Sequence, residues 1–323
     1  SNRSVVIEVS FIGVGTKNIR IPMLKNGQVY TLDIQLSPEG KLIDDVIVKD
    51  KKTRKQALSQ IKTQHVSLIP NSGGGVESIL KTLPGVSSAN ELSSQYSVRG
   101  GNFDENMVYV NGIEVYRPFL VHSGQQEGLS FVNSDMVENI LFSAGGFEAK
   151  YGDKMSSVLD ITYKTPTTNK ASLQMSLLGG SAHFEGITSN NKFSYLFGFR
   201  NKSNQYLLNA MDTRAEYKPN FSDAQTYLKY QLKDNWTISF LGNISQNKYR
   251  MIPENRDTEF GTLNEALKLR IFFEGQESDQ YNTYFGALNT SISPNLKTKL
   301  NFTTSAFKTI ESESFDILGE YWL

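Results

Sequence analysis

The sequences YSVRGG at residues 96–101, VYVNGI at 108–113 and SDMVENILFSAGGFEAKYGDKMSSVLDITY at 134–163 decide the fold of this chain. Each combines β-branched or aromatic residues, which favour strands, with glycines, which accept the positive φ of tight turns. The dipeptide Asn111-Gly112 is the strongest two-residue hairpin signal, so we expect a type I′ turn with positive φ at both residues. These sequences therefore predict short strands joined by tight turns.

The neighbouring residues predict further short elements. A helix is expected over Val76–Leu83, because apolar residues recur there at i, i+3, i+4 and i+7 and Pro84 follows. A strand over Ser94–Arg99 is expected to turn at the glycines that follow it and to pair with Met107–Val110. The predicted later elements are a helical turn capped by Ser134, a strand over Val137–Phe142 and a strand over Ser157–Thr162.

In this order, the three sequences resemble the plug domain of TonB-dependent outer-membrane transporters of the Bacteroidetes, SusC-like type. The resemblance assigns residues 56–166 to the plug. It identifies the plug motif residues as Arg99, Gly100, Gly101, Asn111, Gly112, Gly145, Gly146, Tyr151 and Gly152. It implies a mainly β fold in which an α+β plug lies inside a transmembrane antiparallel β-barrel, which has about 22 strands when complete.

Residues 167–323 have the pattern of the first part of such a barrel. Alternation of apolar and polar residues recurs at 171–177, 192–200, 228–232, 235–244, 267–273 and 296–306. In the second of these segments only Leu196 departs from the pattern. Several segments exceed the ~5–6 residues of an ordinary strand, which favours a membrane barrel over a soluble β-sandwich. At about 10 residues per strand, about seven strands fit. The short turns at 233–235 and 293–295 are both expected on the periplasmic side, although counting strands from the plug leaves the strand directions open.

Residues 1–40 predict three short strands, at Val5–Phe11, Ile19–Ile21 and Val29–Leu36, separated by Gly-rich turns. They are similar to the second half of an Ig-like carboxypeptidase regulatory-like domain. The first residues do not have the pattern of a signal peptide. Because an outer-membrane protein must be exported, we expect the chain to start inside a longer precursor and to stop within the barrel.

Residues 41–55 form a charge-dense linker. Its core, Asp44, Asp45, Val46, Ile47 and Val48, is similar to a TonB box, the segment that binds TonB in the periplasm. β-branched residues favour the extended conformation that pairs with the sheet edge of a partner, a mode called β-augmentation. The alternative is that this segment is the last strand of the preceding domain.

Composition excludes several classes of function. The 33 basic residues balance the 33 acidic residues, so nothing favours nucleic acid as a partner. Cysteine is absent, which excludes disulfides and thiolate metal sites, and the three histidines lie far apart, so we expect no metal site. The resemblance to a transporter implies no cofactor and no catalytic residues. The carboxylates of Asp104 and Glu105 have no base or nucleophile near them in the sequence and fit a solvated turn. No apolar run reaches the 18 residues typical of a transmembrane helix.

The resemblance implies a function, which is TonB-dependent active transport across the outer membrane of a Gram-negative bacterium. It names TonB and the lipid bilayer as partners. A SusD-like surface lipoprotein and other outer-membrane complex subunits are further candidates. Because similar folds host different functions, two alternatives remain, a non-transporting scaffold subunit of an outer-membrane secretion or assembly complex and a soluble binding module.

Overall fold

The computed structural model describes residues 5–11, 14–36, 58–61, 75–88, 93–119, 129–210, 215–262 and 265–322. The chain divides into two compact units, residues 1–55 and residues 56–323. The predicted TonB-binding segment Asp44–Val48 lies outside the described residues. Within the described part of the chain, no helix is long and apolar enough to cross a membrane.

The first unit contains a β-hairpin. Its strands are β1 (Val5–Phe11) and β2 (Val14–Ile21), which pair antiparallel. The prediction of a third strand at Val29–Leu36 is wrong, because these residues have no regular secondary structure. A strand requires partners for its backbone N–H and C=O groups, and in the described part of this unit β1 and β2 pair only with each other.

The second unit begins with a small α+β module, residues 58–163, which we call the plug. Its elements are β3 (Ser59–Ile61), α1 (Glu77–Leu80), β4 (Val86–Ser87), β5 (Ser97–Val98), β6 (Asn106–Val110), β7 (Ile113–Glu114), β8 (Val137–Ser143) and β9 (Ser157–Tyr163). Five strands form one sheet in the order β3-β8-β9-β6-β7, in which β6 and β9 run parallel. The predicted strands that correspond to β8 and β9 are confirmed.

The first plug helix is shorter than the sequence predicts. α1 forms a single turn, because the Leu83 N–H already bonds to the Leu80 carbonyl at 2.9 Å in a tighter turn ahead of Pro84. The buried apolar residues of this turn are Ile79 and Leu80. The apolar spacing therefore predicted the buried face of this helix correctly and its length wrongly.

The predicted partner of the strand that ends near Arg99 is wrong. β5 pairs with β4, through Ser97 opposite Ser87 and Val98 opposite Val86. The expected partner, β6, bonds to β9 on one edge and to β7 on the other. Because a strand has only two hydrogen-bonding edges, β6 cannot also accept β5.

The predicted turn at Asn111-Gly112 is confirmed. The two residues have φ values of 53° and 75°, and they connect β6 to β7 with Val110 opposite Ile113. A valine at Gly112 would be strained at this φ. The Asn111 side chain also accepts a hydrogen bond from the Tyr163 N–H at 2.9 Å, so the turn is fastened to the end of β9.

The rest of the second unit is a large antiparallel sheet, which we call the wall. Its strands are β10 (Lys170–Ser176), β11 (Gly179–Ile187), β12 (Phe193–Lys202), β13 (Ala215–Tyr217), β14 (Asn220–Lys233), β15 (Trp236–Pro253), β16 (Arg256–Thr262), β17 (Glu265–Asn295) and β18 (Thr298–Trp322). A short helix, α2 (Gln205–Asn209), lies between β12 and β13. β13 and β14 both pair with β15, and β15 and β16 both pair with the same edge of β17. In the described residues the wall therefore has seven strand positions, which confirms the prediction of about seven.

The two faces of the wall differ as the alternating sequence predicts. Along β12, the outer-face aromatics include Phe197 and Phe199, which are 44% and 49% exposed. Their neighbours Ser194, Leu196 and Arg200 on the opposite face are buried. Leu196, the exception in the sequence pattern, lies on this inner face and is fully buried in the main hydrophobic core. It is apolar because it meets the apolar side of the plug.

Large apolar side chains on the outer face form a belt that follows the strand register. On β15 the belt runs from Trp236 to Ile244, which is eight residue steps or about 26 Å along the strand. Beyond Ile244, the next three outer-face residues of the same strand are polar, namely Gln246, Lys248 and Arg250. A height of ~25 Å is typical of the apolar band of a membrane barrel. The belt therefore supplies the lipid-facing surface that the alternation predicted.

The short connections of the wall identify its two ends. Asn235 and Ser293 lie side by side, since the Ser293 N–H bonds to the Asn235 carbonyl at 2.9 Å. The turn at 188–192 is at the same end, because Gln231 N–H bonds to the Lys192 carbonyl at 2.8 Å. The turns at 233–235 and 293–295 therefore lie at the same end of the wall, as the sequence predicts. The β10–β11 connection at 177–178 is equally short but lies at the opposite end, together with the long connection at 203–219 between β12 and β14. Longer connections mark the extracellular end of such barrels, so we call this opposite end the outer end.

One hydrophobic core joins the plug to the wall. A row across the inner face of the wall, formed by Leu196, Tyr227, Leu241 and Ala287 in cross-strand register, contacts this core. The plug contributes Val76, Leu80, Val108 and Ile140 among others. Because the same apolar cluster includes both parts, separating the plug from the wall would expose apolar surface to water.

Candidate functional site: the seam between plug and wall

A buried ion pair stands on the inner face of the wall, close to the outer edge of the belt. Arg200 on β12 and Asp223 on β14 lie directly opposite each other. The guanidinium binds the carboxylate through two hydrogen bonds, Nε to Oδ1 at 2.9 Å and Nη2 to Oδ2. Both residues are buried, so each charge depends on the other for its stabilisation.

This pair binds the plug through backbone groups. Arg200 donates from Nη2 to the Ser130 carbonyl at 2.8 Å and from Nη1 to the Val132 carbonyl at 2.7 Å. Gln225, two residues after Asp223 on β14, donates from Nε2 to the Phe131 carbonyl between them. We call Arg200, Asp223 and Gln225 the clamp. The clamp donates hydrogen bonds to three consecutive backbone carbonyls of the plug. These residues are in no helix or strand, so their carbonyls need donors from outside regular secondary structure.

The end of β9 completes the network. The Tyr163 hydroxyl donates to Gln225 Oε1 at 2.8 Å and accepts from the Asn133 N–H at 3.2 Å. Burial raises the pKa of the Tyr163 phenol, which keeps its proton available for donation. The Asn133 side chain caps the 3₁₀ turn Ser134–Met136 by accepting from the Asp135 N–H at 3.1 Å. The predicted cap, Ser134, is wrong, because the residue before it supplies the acceptor.

A buried carboxyl group lies beside the clamp on the plug side. Glu77, in the first turn of α1, is 3% exposed. Burial raises the pKa of its carboxyl, although a hydrogen bond with Ser130 and the charge of Arg200 act in the opposite direction. Its Oε2 atom has no hydrogen-bond partner among the described residues. The plug therefore presents to the wall a carboxyl group that burial drives toward its neutral form.

Further contacts tie the plug to the later wall strands. The rings of Phe131 and Phe285 meet edge to face with centroids 5.2 Å apart. Near the outer end, Tyr116 packs against Phe307 on β18 with ring centroids 5.8 Å apart, and Arg117 forms an ion pair with Glu311. The plug thus contacts the wall from β12 to β18.

The plug motif residues lie within the plug and outside the clamp. Arg99 and Gly100 form a turn with φ of 52° and 82°, and a Cβ at Gly101 would collide with Ser156 Oγ. Gly145 approaches the same turn, since a Cβ there would lie 3.5 Å from Arg99 Nη1. Gly146 follows with φ of 70°.

Tyr151 and Asn111-Gly112 stabilise other parts of the plug. The Tyr151 hydroxyl donates to Asp160 Oδ2 at 2.5 Å, and its ring packs on Tyr109 at 5.3 Å. Gly152 follows Tyr151, and a Cβ there would meet no atom within 4 Å. Asn111 and Gly112 form the β6–β7 turn. These contacts describe packing and turns inside the plug, so a role for the motif residues in function remains a prediction.

The sequence did not identify the clamp or Glu77. Arg200 appeared only as one polar member of an alternating strand, and Asp223 and Gln225 precede the alternation recognised at 228–232. The plug carbonyls that they bind are up to 94 residues away in sequence. The only local signal was an arginine at an inner-face position of a strand that is otherwise rich in aromatic residues.

The chemistry of the seam is non-covalent binding. Its groups are a guanidinium with four hydrogen bonds, a carboxylate, amides, a phenol and a buried carboxyl. Within the described ranges, no three His, Asp or Glu side chains are grouped so that they could hold a metal ion. The arrangement can hold and release a plug segment.

Residues 42–158 match the family described as TonB-dependent Receptor Plug Domain. No curated protein matches the sequence. Solved structures similar in fold include the ferric enterobactin receptor PfeA (mutant G324V) of Pseudomonas aeruginosa. Its sequence is 15% identical, the match covers 81% of this chain and 46% of that chain, and the TM-score is 0.46.

Two further receptors give similar values. The ferripyoverdine receptor of the outer membrane of Pseudomonas aeruginosa is 10% identical, with 82% of this chain and 44% of that chain covered and a TM-score of 0.48. The Serratia marcescens hemophore receptor HasR, in complex with its hemophore HasA and heme, is 10% identical, with 81% and 46% covered and a TM-score of 0.46. The chain spans less than half the length of these three receptors. Such likenesses establish neither a ligand nor an activity.

The match over residues 42–158 and the observed architecture agree on one fold, an α+β plug packed on the inner face of part of an antiparallel barrel. Plug domains of this kind occur in receptors of the Gram-negative outer membrane. Residues 42–158 thus match a TonB-dependent receptor plug domain, and the protein is located in the outer membrane of a Gram-negative bacterium.

Proposed function

We propose that this protein transports a ligand actively across the outer membrane, with the plug as the gate and TonB as the source of work. The observation that carries the proposal is the clamp, because the wall grips a plug-domain segment by three main-chain carbonyls. Such a grip closes the seam at rest. Water can replace it when the segment moves, since both sets of groups are strongly hydrated.

Opening the seam requires external work. The row of inner-face wall residues that includes Leu196 and Leu241 would lose its apolar contacts with the plug, and exposing this apolar surface to water is unfavourable. The outer membrane has no nucleotide or ion gradient of its own to supply this energy. We therefore assign the coupling role to Asp44–Val48, as the segment that TonB binds by β-augmentation from the periplasm.

The finer assignments belong to the same proposal. We place residues 1–40 in an Ig-like carboxypeptidase regulatory-like domain, residues 41–55 in the TonB-box linker, residues 56–166 in the plug and residues 167–323 in the barrel. The proposed type is the SusC-like transporter of Bacteroidetes, with a SusD-like surface lipoprotein as a candidate partner. The hairpin of β1 and β2 supports a β domain at the amino end.

The test is ligand uptake in cells that depend on this protein. Ile47→Pro should abolish uptake and preserve ligand binding at the cell surface, because proline removes a backbone donor and fixes φ. Val46→Ala is the matched control and should transport normally, since β-augmentation depends mainly on backbone groups.

The competing function is a scaffold subunit of an outer-membrane secretion or assembly complex, which needs the fold but no energy input. Normal uptake by both Ile47→Pro and a deletion of residues 44–48 would reject the TonB-coupled proposal. The scaffold role would then be preferred.

A further inference from the structure

Basic side chains lie on the outer face of the wall, next to the outer edge of the belt. Lys248 and Arg250 follow Ile244 on the same face of β15, at about 13 and 20 Å along the strand. Lys308 on β18 is level with Ile244, because Tyr284 of β17 pairs with both. All three basic side chains are exposed. The surface of the outer face therefore changes from apolar to basic just beyond the belt.

The charges on this face are segregated by sign. In the described residues of β12, β14, β15, β17 and β18, no charged residue occupies the outer face between the periplasmic turns and the level of Lys308 and Lys248. The nearest carboxylates on the outer face lie beyond Arg250 in the register, at Glu216, Glu274 and Asp316. The first charges beyond the belt are thus all positive. Basic residues at the boundary of an apolar surface are typical of contacts with anionic lipid headgroups.

Three of the cations converge across two strands. Lys218 lies beside Arg250, since the Lys218 N–H bonds to the Arg250 carbonyl at 2.8 Å and the preceding pair is Tyr217 opposite Met251. Lys248 is two residues from Arg250 on the same face, so the three Cα atoms lie within about 8 Å of one another. We call Lys218, Lys248 and Arg250 the basic cluster. Like charges that face each other on neighbouring strands destabilise a sheet, and an anion between them removes this cost.

The described residues only partly neutralise the basic cluster. Lys218 has a carboxylate partner, Glu216, whose Oε1 atom lies 3.1 Å from Nζ. Within the part of the chain that the structure describes, neither Lys248 nor Arg250 forms an ion pair. The cross-strand neighbours of Lys248 are Asn220 and Gln280, which are polar and uncharged. Two cationic groups of the cluster are therefore available to an anion from outside the protein.

We propose that the basic cluster binds the phosphate groups of an outer-leaflet membrane lipid, a phosphorylated glycolipid. The occupant is a lipid because the cluster is continuous with the belt, so that the acyl chains lie against Phe240 and Ile244 while the headgroup phosphates reach the cations. Lysine and arginine bind phosphate through charge-assisted hydrogen bonds, and the guanidinium of Arg250 can bind two phosphate oxygens at once. This site lies on the opposite face of the wall from the clamp and does not depend on transport.

The experiment is native mass spectrometry of the purified full-length protein in a neutral detergent. The two probes are lipid A that carries both phosphates and the same lipid A after enzymatic dephosphorylation. The wild type should bind the phosphorylated form at least tenfold more tightly. Lys248→Gln combined with Arg250→Gln should weaken binding of that form by about thirtyfold, since each cation near an anionic membrane surface contributes about fivefold. Binding of the dephosphorylated form should not change.

The matched control is Lys268→Gln combined with Arg270→Gln. These residues have the same spacing, on β17, and removing them takes away the same charge. They lie about 46 Å further along the strand than Tyr284, near the level of which the belt ends. Both are paired with Asp257, at 3.1 and 3.5 Å. The control variant should bind the phosphorylated lipid as the wild type does.

A soluble anion is tested by adding inorganic phosphate to the wild-type complex. Retention of the lipid at millimolar phosphate would support the proposal, and displacement would identify a site for free phosphate and overturn it. Equal binding of the two lipid forms by the wild type would also overturn it, and this comparison does not depend on the folding of a variant. So would equal affinities of the basic-cluster variant and the control variant for the phosphorylated lipid.

Discussion

Removing the carboxylate of the clamp tests whether the seam is held as the structure indicates. In Asp223→Ala, Arg200 loses both of its carboxylate hydrogen bonds while it remains buried, and Gln225 Nε2 loses a contact of 3.2 Å. Breaking a buried pair by removing one partner typically costs about 3–5 kcal/mol, because the remaining charge is uncompensated. We expect this cost to appear mainly as loosening of the plug segment that follows Leu129.

Backbone hydrogen exchange of the protein in lipid vesicles measures that loosening. The Asn133 amide reports it directly, since it donates to Tyr163, whose hydroxyl is held by Gln225. A loss of about 3 kcal/mol corresponds to a fall in protection of about a hundredfold at this amide. Asp234→Ala, at an exposed position in the β14–β15 turn, is the matched control and should leave the protection unchanged.

A double variant separates the charge effect from simple loss of contacts. Arg200→Met with Asp223→Leu removes both charges together, so its effect should be clearly smaller than the sum of the two single effects. It should still be destabilising, because the carbonyls of Ser130 and Val132 lose their donors. Strictly additive effects, or unchanged protection at Asn133 in Asp223→Ala, would refute the clamp as the element that holds the plug.

Two further predictions concern the belt and the buried carboxyl. Ile238→Arg places a charge on the lipid face, and near the bilayer midplane it should make the free energy of folding into vesicles less favourable by about 2–4 kcal/mol. Thr237→Arg, on the inner face, should be milder. Equal effects of the two variants in a urea titration would contradict the assignment of the belt. Because the folded-state pKa of Glu77 is raised, its contribution to stability is present at low pH and is lost as pH rises through that pKa. Glu77→Gln should remove this contribution of Glu77 to the pH dependence of hydrogen-exchange protection at the seam amides. An identical pH profile of protection in the variant would show that Glu77 is not the source of that dependence.

Features with local causes could be predicted from the sequence. The outer-face side chains of β12 and β15 alternate because successive residues of a strand point to opposite faces, whatever lies beyond them. The turn at Asn111-Gly112 follows from the same logic, since two adjacent positions with positive φ select these residue types. The number of wall strands could be predicted as well, because strand length and turn spacing are properties of consecutive residues.

Contacts between distant segments were decided by the tertiary structure. The sequence could not indicate that β5 would pair with β4, because that choice depends on β9 and β7 having taken both edges of β6. Nor could it indicate why Leu196 interrupts a polar face, since its apolar partners belong to the plug. The clamp is the clearest case, because Arg200 donates to carbonyls 68 and 70 residues away. Every residue has a backbone carbonyl, so residue types do not show which carbonyl will accept a hydrogen bond. Periodicity determines which face a residue occupies, and only the packed structure determines what it meets there.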